Sequence, residues 1–190
     1  MGCGPFFNKD KTLNRKLVVV GDGACGKTSL LNVFTRGRFP QNYEPTVFEN
    51  YVHDIWIENK HIEISLWDTA EFDRLRSLSY ADTHVIMLCF AVDNRDSLEN
   101  VESKWMEEIR EHCAGVKLVL VALKCDLRED VQVKKNMKRY GEMPVSYEEN
   151  VQQNTIEVSV REAFEQSALV SLRAKRKGLS SNSSGKCILL

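Results

Sequence analysis

Apolar runs at 17–20, 85–92 and 116–123, the last interrupted only by Lys117, stand out along a chain rich in polar and charged residues. Short runs rich in Val and Leu fit strands buried on both faces. Two further segments, 52–57 and 62–67, mix apolar with polar residues, the second in alternation over 62–66. With Glu58-Asn59-Lys60 between them, they predict an antiparallel hairpin. Over 97–112, Leu98, Val101, Trp105 and Ile109 recur at helical spacing. Helices are also predicted over 28–36 and 162–177. Strands alternating with helices define an α/β class, with a mostly parallel central sheet, one antiparallel edge strand and flanking helices. The stretch 128–142 is charged, has few apolar residues and reads as a solvated surface helix. Residues 1–14 form an extension in which Phe6 and Phe7 are candidates to dock on the domain.

The first apolar run leads directly into Gly21-Asp22-Gly23-Ala24-Cys25-Gly26-Lys27-Thr28. A strand, a glycine-rich turn with this spacing and a helix start together specify a phosphate-loop NTPase fold. The glycines allow tight backbone curvature around an anion. The turn's N–H groups and the positive end of the helix then face the phosphates. Lys27 can reach the β- and γ-phosphates, and the Thr28 hydroxyl can ligate Mg²⁺. The nucleotide-contacting candidates here are Gly21, Asp22, Gly23, Ala24, Cys25, Gly26, Lys27, Thr28 and Ser29.

Residues further along the chain complete the site. Asp68, in Leu66-Trp67-Asp68-Thr69-Ala70, ends a strand and is placed to hold Mg²⁺ through its water shell. Thr46 lies in a loop before the hairpin. Its hydroxyl can serve Mg²⁺ and its N–H the γ-phosphate. Leu123-Lys124-Cys125-Asp126 ends the fifth strand. There the Asp126 carboxylate can accept two hydrogen bonds from guanine, and the stem of Lys124 can cover the ring.

These motifs resemble the Ras superfamily of small GTPases and, within it, the Rho family, most closely a fungal branch of it. The resemblance covers roughly residues 15–130 and, more weakly, 140–190. It implies GTP and GDP as ligands with Mg²⁺, and exchange factors, activating proteins and effectors of the Rho type as partners. Tyr43, Val47, Phe48, Glu49, Asn50 and Tyr51 fall in the segment that resembles the Rho switch I and effector region. Phe39 falls where the family stacks an aromatic edge against guanine, and 128–142 falls where Rho proteins carry an extra surface helix. The implied role is a molecular switch in actin organisation, cell polarity and polarised secretion.

The chain departs from the family pattern in three places. The family reads Asp-Thr-Ala-Gly-Gln after the third strand, whereas this chain reads Asp68-Thr69-Ala70-Glu71-Phe72. The glycine that senses the γ-phosphate and the glutamine that orients the attacking water are missing, so no catalytic residue is assigned and slow hydrolysis is expected. Leu123 replaces the asparagine of the guanine motif. Between Tyr147 and Phe164 the interval is too short for the family's long helix, sixth strand and Ser-Ala-Lys loop. Residues 155–161 fit a degenerate strand and loop, with Ser159 and Val160 at the nucleotide. They equally fit a direct run into the last helix with no sixth strand. The in-frame gaps are compatible with an atypical protein, with a GTP-binding module that lacks turnover, or with a poorly folding gene-model variant.

Composition narrows the setting. At 190 residues, 43% of them hydrophobic, the chain fits one domain, over 15–172, with tails. A net charge of -1 gives no argument for a nucleic-acid partner. The six cysteines form no C-x-x-C pair and fit free thiols in a reducing compartment. No apolar run is long enough to span a bilayer, and the N-terminus lacks the pattern of a secretory signal. The tail, 173–190, carries Arg173, Lys175, Arg176 and Lys177, then a Ser- and Gly-rich linker, and ends Cys187-Ile188-Leu189-Leu190. Cys187 fits a C-a-a-X box whose terminal Leu favours geranylgeranylation. One lipid chain binds marginally, so the basic cluster supplies a second signal toward an anionic membrane surface. The expected location is the cytoplasmic face of the plasma membrane, with a cytosolic pool. Cys3 is a weaker candidate for palmitoylation.

Overall fold

The computed structural model describes residues 12–42, 48–57, 59–69, 76–152, 164, 165 and 168. Among them five strands form one sheet in the order β2-β3-β1-β4-β5. They are β1 (Leu13–Gly21), β2 (Phe48–Ile57), β3 (Lys60–Thr69), β4 (Val85–Ala91) and β5 (Lys117–Leu123). β1 pairs in parallel with β3 and β4, β4 pairs in parallel with β5, and β2 alone runs antiparallel, at the edge. The α/β sheet expected from the apolar pattern is therefore present. Because β1, β3, β4 and β5 share one direction, their C-terminal ends open at the same end of the sheet, where ligands of such folds bind.

Strand alternation divides the core between the two faces. Leu17, Val19, Met87, Cys89 and Val121 join one cluster with Leu30 and Leu31 of the first helix. Val18, Val20, Ile86, Leu88 and Phe90 join a second cluster with Leu98, Trp105 and Ile109. This two-sided burial is why β4 reads as an unbroken apolar run. Each fully buried Val or Leu contributes about 1.5–3 kcal/mol. Cys25, Cys89, Cys113 and Cys125 are free thiols, the first three buried.

Several elements extend beyond their apolar cores. β1 begins at Leu13 rather than Leu17, because Asn14, Arg15 and Lys16 hold register with Glu63, Ile64 and Ser65 of β3. The hairpin closes at Ile57 opposite Lys60, with Asn59 at φ +61°, a conformation Asn tolerates. Helix α1 (Lys27–Arg36) starts at the motif lysine and stops at Gly37, whose φ of +65° suits a C-cap glycine and whose N–H donates to the Val33 carbonyl.

The helix expected over 97–112 is α2. It runs from Arg95–Asn100, through a π-helical turn at Val101–Trp105, into Met106–His112. Asn94 caps its start by accepting the Ser97 N–H at 3.2 Å. Within 128–142 the helical part is shorter than the charge pattern suggests. A 3-10 turn (Cys125–Glu129) leads into α3 (Val131–Lys138), which Asp130 caps at the Val133 N–H. Helix α4 (Tyr147–Gln152) starts on a reciprocal cap. Ser146 Oγ accepts the Glu149 N–H, and Glu149 Oε2 accepts the Ser146 N–H. Of the helix expected over 162–177, Phe164, Glu165 and Ala168 are described and helical, and Phe164 and Ala168 are buried in the first core cluster. The candidate strand at 155–161 lies outside the described residues.

Candidate functional site

The turn after β1 is shaped by close backbone contact. At Gly21, with φ +141°, a Cβ would stand 2.1 Å from the Cys89 carbonyl oxygen of β4. Only glycine allows that approach. Gly26, with φ +111°, faces the Leu123 side chain, whose Cδ1 would lie 3.6 Å from an added Cβ. The loop is therefore wedged between the ends of β4 and β5. Ala24 is exposed and adopts φ +56°, Gly23 is half-buried, and Ser29 lies half-buried in the first turn of α1.

Lys27 is 8% exposed, and its ammonium donates to the Gly21 and Asp22 carbonyls, each at 2.8 Å. These bonds hold a fixed positive charge inside the turn. Cys25 lies beneath it. Burial pushes its thiol up and outweighs the opposing pull of Lys27, so the thiol stays protonated and is a poor nucleophile. The Thr28 hydroxyl donates to Asp68 Oδ2 at 2.6 Å. Asp68 is fully buried at the end of β3, and its neighbour Thr69 ties β3 to β1 by donating to the Val19 carbonyl at 2.7 Å.

The pair of Thr28 hydroxyl and Asp68 carboxylate, beside a lysine-anchored loop, is an oxygen donor set suited to a hard cation such as Mg²⁺. Among the described residues no group of three or more His, Cys, Asp or Glu side chains is placed to hold a metal. The fit therefore rests on Thr28 and Asp68, with Thr46 lying outside the described residues.

At the end of β5, Lys124 adopts φ +57° and its ammonium lies 3.4 Å from Asp93 Oδ2. Asp126 is exposed in the following 3-10 turn, with its carboxylate open to solvent. Phe39 is 66% exposed just after α1. The sheet thus brings the phosphate loop, Asp68, Lys124 and Asp126 to one end. Of the effector candidates, Glu49 and Asn50 are exposed on β2 and Tyr51 is half-buried. Phe48 opens β2, whereas Tyr43 and Val47 lie outside the described residues, as do Ser159, Val160, Cys187, Glu71 and Cys3.

Two contacts were not anticipated from the motifs. The Asp22 carboxylate is bound by Asn100 and Trp105 of α2. Arg76, buried beside the segment after β3, forms a bidentate pair with Glu108 at 2.6 and 2.7 Å, and the Tyr80 hydroxyl donates to Glu108 at 2.6 Å. Burial, with Glu108 adding to it, pushes the Tyr80 phenol up and keeps it a donor. The only sequence signal for this cluster was the helical stripe that put Trp105 on the inner face of α2.

Fold and site together define a phosphate-loop nucleotide-binding domain. The Ras family profile matches residues 16–171. The chain is similar to the GTP-binding protein rho3 of Schizosaccharomyces pombe, 53% identical over 91% of this chain and 90% of the relative. It is also similar to the GTP-binding proteins RHO3 of Eremothecium gossypii and Saccharomyces cerevisiae. These are 71% and 70% identical over 66% and 67% of this chain, and the matches span 58% and 57% of those relatives' lengths. The chain belongs to the Ras family, as a Rho-type small GTPase.

Proposed function

We propose that the chain binds GTP and GDP with Mg²⁺ and acts as a membrane-anchored, Rho-type switch whose intrinsic hydrolysis is slow. The observation that carries this reading is the Thr28–Asp68 pair at 2.6 Å beside a loop anchored by Lys27. The similar fungal proteins are named as GTP-binding, which supports guanine as the base. Thr28 and Asp68 would hold Mg²⁺, which would supply positive charge to offset that of the phosphates. Lys27 supplies charge to the phosphates, Asp126 selects guanine, and Phe39 and Lys124 flank the base. GTP-dependent ordering of Thr46 and its loop would present the effector segment from Tyr43 to Tyr51. Cys187 and the basic cluster before it would carry the chain to an anionic membrane on the cytoplasmic side, in service of polarity, actin organisation and secretion.

A second reading, in which GTP is bound with no effective turnover, is favoured by Asp68-Thr69-Ala70 running straight into Glu71-Phe72. Single-turnover phosphate release on nucleotide-loaded protein separates the two. A family-like rate supports the hydrolysing switch. Retained GTP with no release supports the binding module.

A further inference from the structure

The Asp22 carboxylate, second in the phosphate loop, is engaged on both oxygens. Oδ2 accepts from Asn100 Nδ2 at 2.7 Å and Oδ1 accepts from Trp105 Nε1 at 2.7 Å. These donors are five positions apart. On a regular α-helix they would point about 140° away from one another. The π-helical turn Val101–Trp105 narrows that divergence, and both donors reach the Asp22 carboxylate. Trp105 is 1% exposed, so its N–H is held by the core rather than by solvent-side chance. The Asp22 carbonyl, on the same residue, is one of the oxygens that anchor the Lys27 ammonium.

An untethered carboxylate in a loop built for a polyanion would repel it. Binding that carboxylate from α2 also fixes the peptide on which Lys27 rests. We propose that Asn100 and Trp105 are positioning residues for the nucleotide, acting through Asp22 to hold the phosphate loop in its binding shape. The inference rests on guanine nucleotide occupying this loop.

The test is the dissociation rate of fluorescently labelled GDP from the full chain with Mg²⁺. Trp105→Phe keeps an aromatic ring beneath Arg76, which stacks 4.7 Å above it, and removes the N–H donor together with part of the ring volume, a loss that an Asp22→Ala background separates from the donor's role. Dissociation should become roughly tenfold faster, the scale of one hydrogen bond to a charged group. Asn100→Ala, at a half-buried position, should accelerate it several-fold and serves if the Trp variant folds poorly. In an Asp22→Ala background, where there is no carboxylate to hold, neither change should add to the rate. Equal acceleration with and without Asp22 would mean general loosening of the core and would overturn the proposal. So would parental rates in both single variants. If the parent protein takes up no labelled GDP, the nucleotide reading fails and this inference fails with it. Normal uptake with unchanged rates defeats the clamp alone.

Discussion

The Cys89 carbonyl leaves no room for a Cβ at Gly21. Gly21→Ala must push β1 and β4 apart at the point where they carry the site. Overpacking of this kind costs about 1–3 kcal/mol, occasionally more. The expected result is a lower thermal midpoint together with weaker nucleotide retention. An unchanged midpoint would show that the strands separate without cost. Lys27→Ala tests a different quantity, since the ammonium bonds the loop carbonyls of Gly21 and Asp22 and, in the proposed function, would face the phosphates. Losing a contact to charged groups is worth about 1.5–3 kcal/mol, so retention of GDP on purified protein should fall by an order of magnitude or more. Asp126 is exposed in its turn and has little structural work to do. Asp126→Ala should therefore leave the fold intact and reduce the preference for GTP over ATP in a competition assay. If ATP and GTP already compete equally in the parent, Leu123 in the guanine motif has removed that selection.

At the scale of elements, an ion pair and the Tyr80 hydroxyl tie α2 to residues 76–80. The Arg76 side chain is fully buried, and its partner Glu108 is 17% exposed. Glu108→Leu strands a buried guanidinium, an effect of about 3–5 kcal/mol. Urea unfolding should show that loss, and adding Arg76→Met should recover much of it, because the uncompensated charge is the cause. Glu149 joins α4 to α2 in a milder way. The Arg95 side chain first, and the Ser146 backbone N–H next, hold its carboxyl below the usual range. A lowered folded-state value gives stability that is full above the ordinary carboxylate pKa and fades as pH falls through the lowered one. Glu149→Gln should accordingly flatten the acid limb of a stability-against-pH curve and leave the neutral-pH slope alone. The strands, α1 and α2 were legible in the sequence because two-sided burial and a helical stripe leave direct apolar signatures. The helix at Tyr147–Gln152 was not read from the sequence, because it lacks an apolar stripe, although the Ser146-x-x-Glu149 spacing of its cap is present there. The π-helical turn at Val101–Trp105 left no trace. It changes where Asn100 and Trp105 point, not which residues are apolar. The motif residues at the site were readable from spacing. The Asp22 clamp and the Arg76–Glu108 pair were not, because each joins residues far apart in sequence, which no local pattern records.

The whole molecule behaves as a switch only if it reaches a membrane and turns GTP over at a controlled rate. In the proposed function, attachment would depend on Cys187-Ile188-Leu189-Leu190 behind an acid-free basic stretch. Cys187→Ser should move the protein from membrane to cytosol on cell fractionation, and neutralising Arg173, Lys175, Arg176 and Lys177 should weaken attachment less completely. In the proposed function, turnover would depend on the residues that follow Asp68 in the sequence, whose own carboxylate is buried and bonded to Thr28. Ala70 is succeeded by Glu71 and Phe72, with neither an amide of glycine for the γ-phosphate nor a glutamine for the attacking water. An activating protein's arginine works on a water that is already positioned, and together they supply roughly 10⁵-fold. That factor corresponds to about 7 kcal/mol of barrier. Glu71 would be a poor substitute in sequence terms, since a carboxylate would be repelled by the γ-phosphate. Single-turnover phosphate release should therefore be slow and nearly indifferent to a Rho-type activating domain. Inserting Gly-Gln-Glu after Ala70 should restore stimulation without altering GDP retention, because the phosphate loop, Thr28 and Asp68 are untouched. A parent protein that responds fully to the activating domain would mean that another group positions the water, and the missing pair would then carry no functional weight.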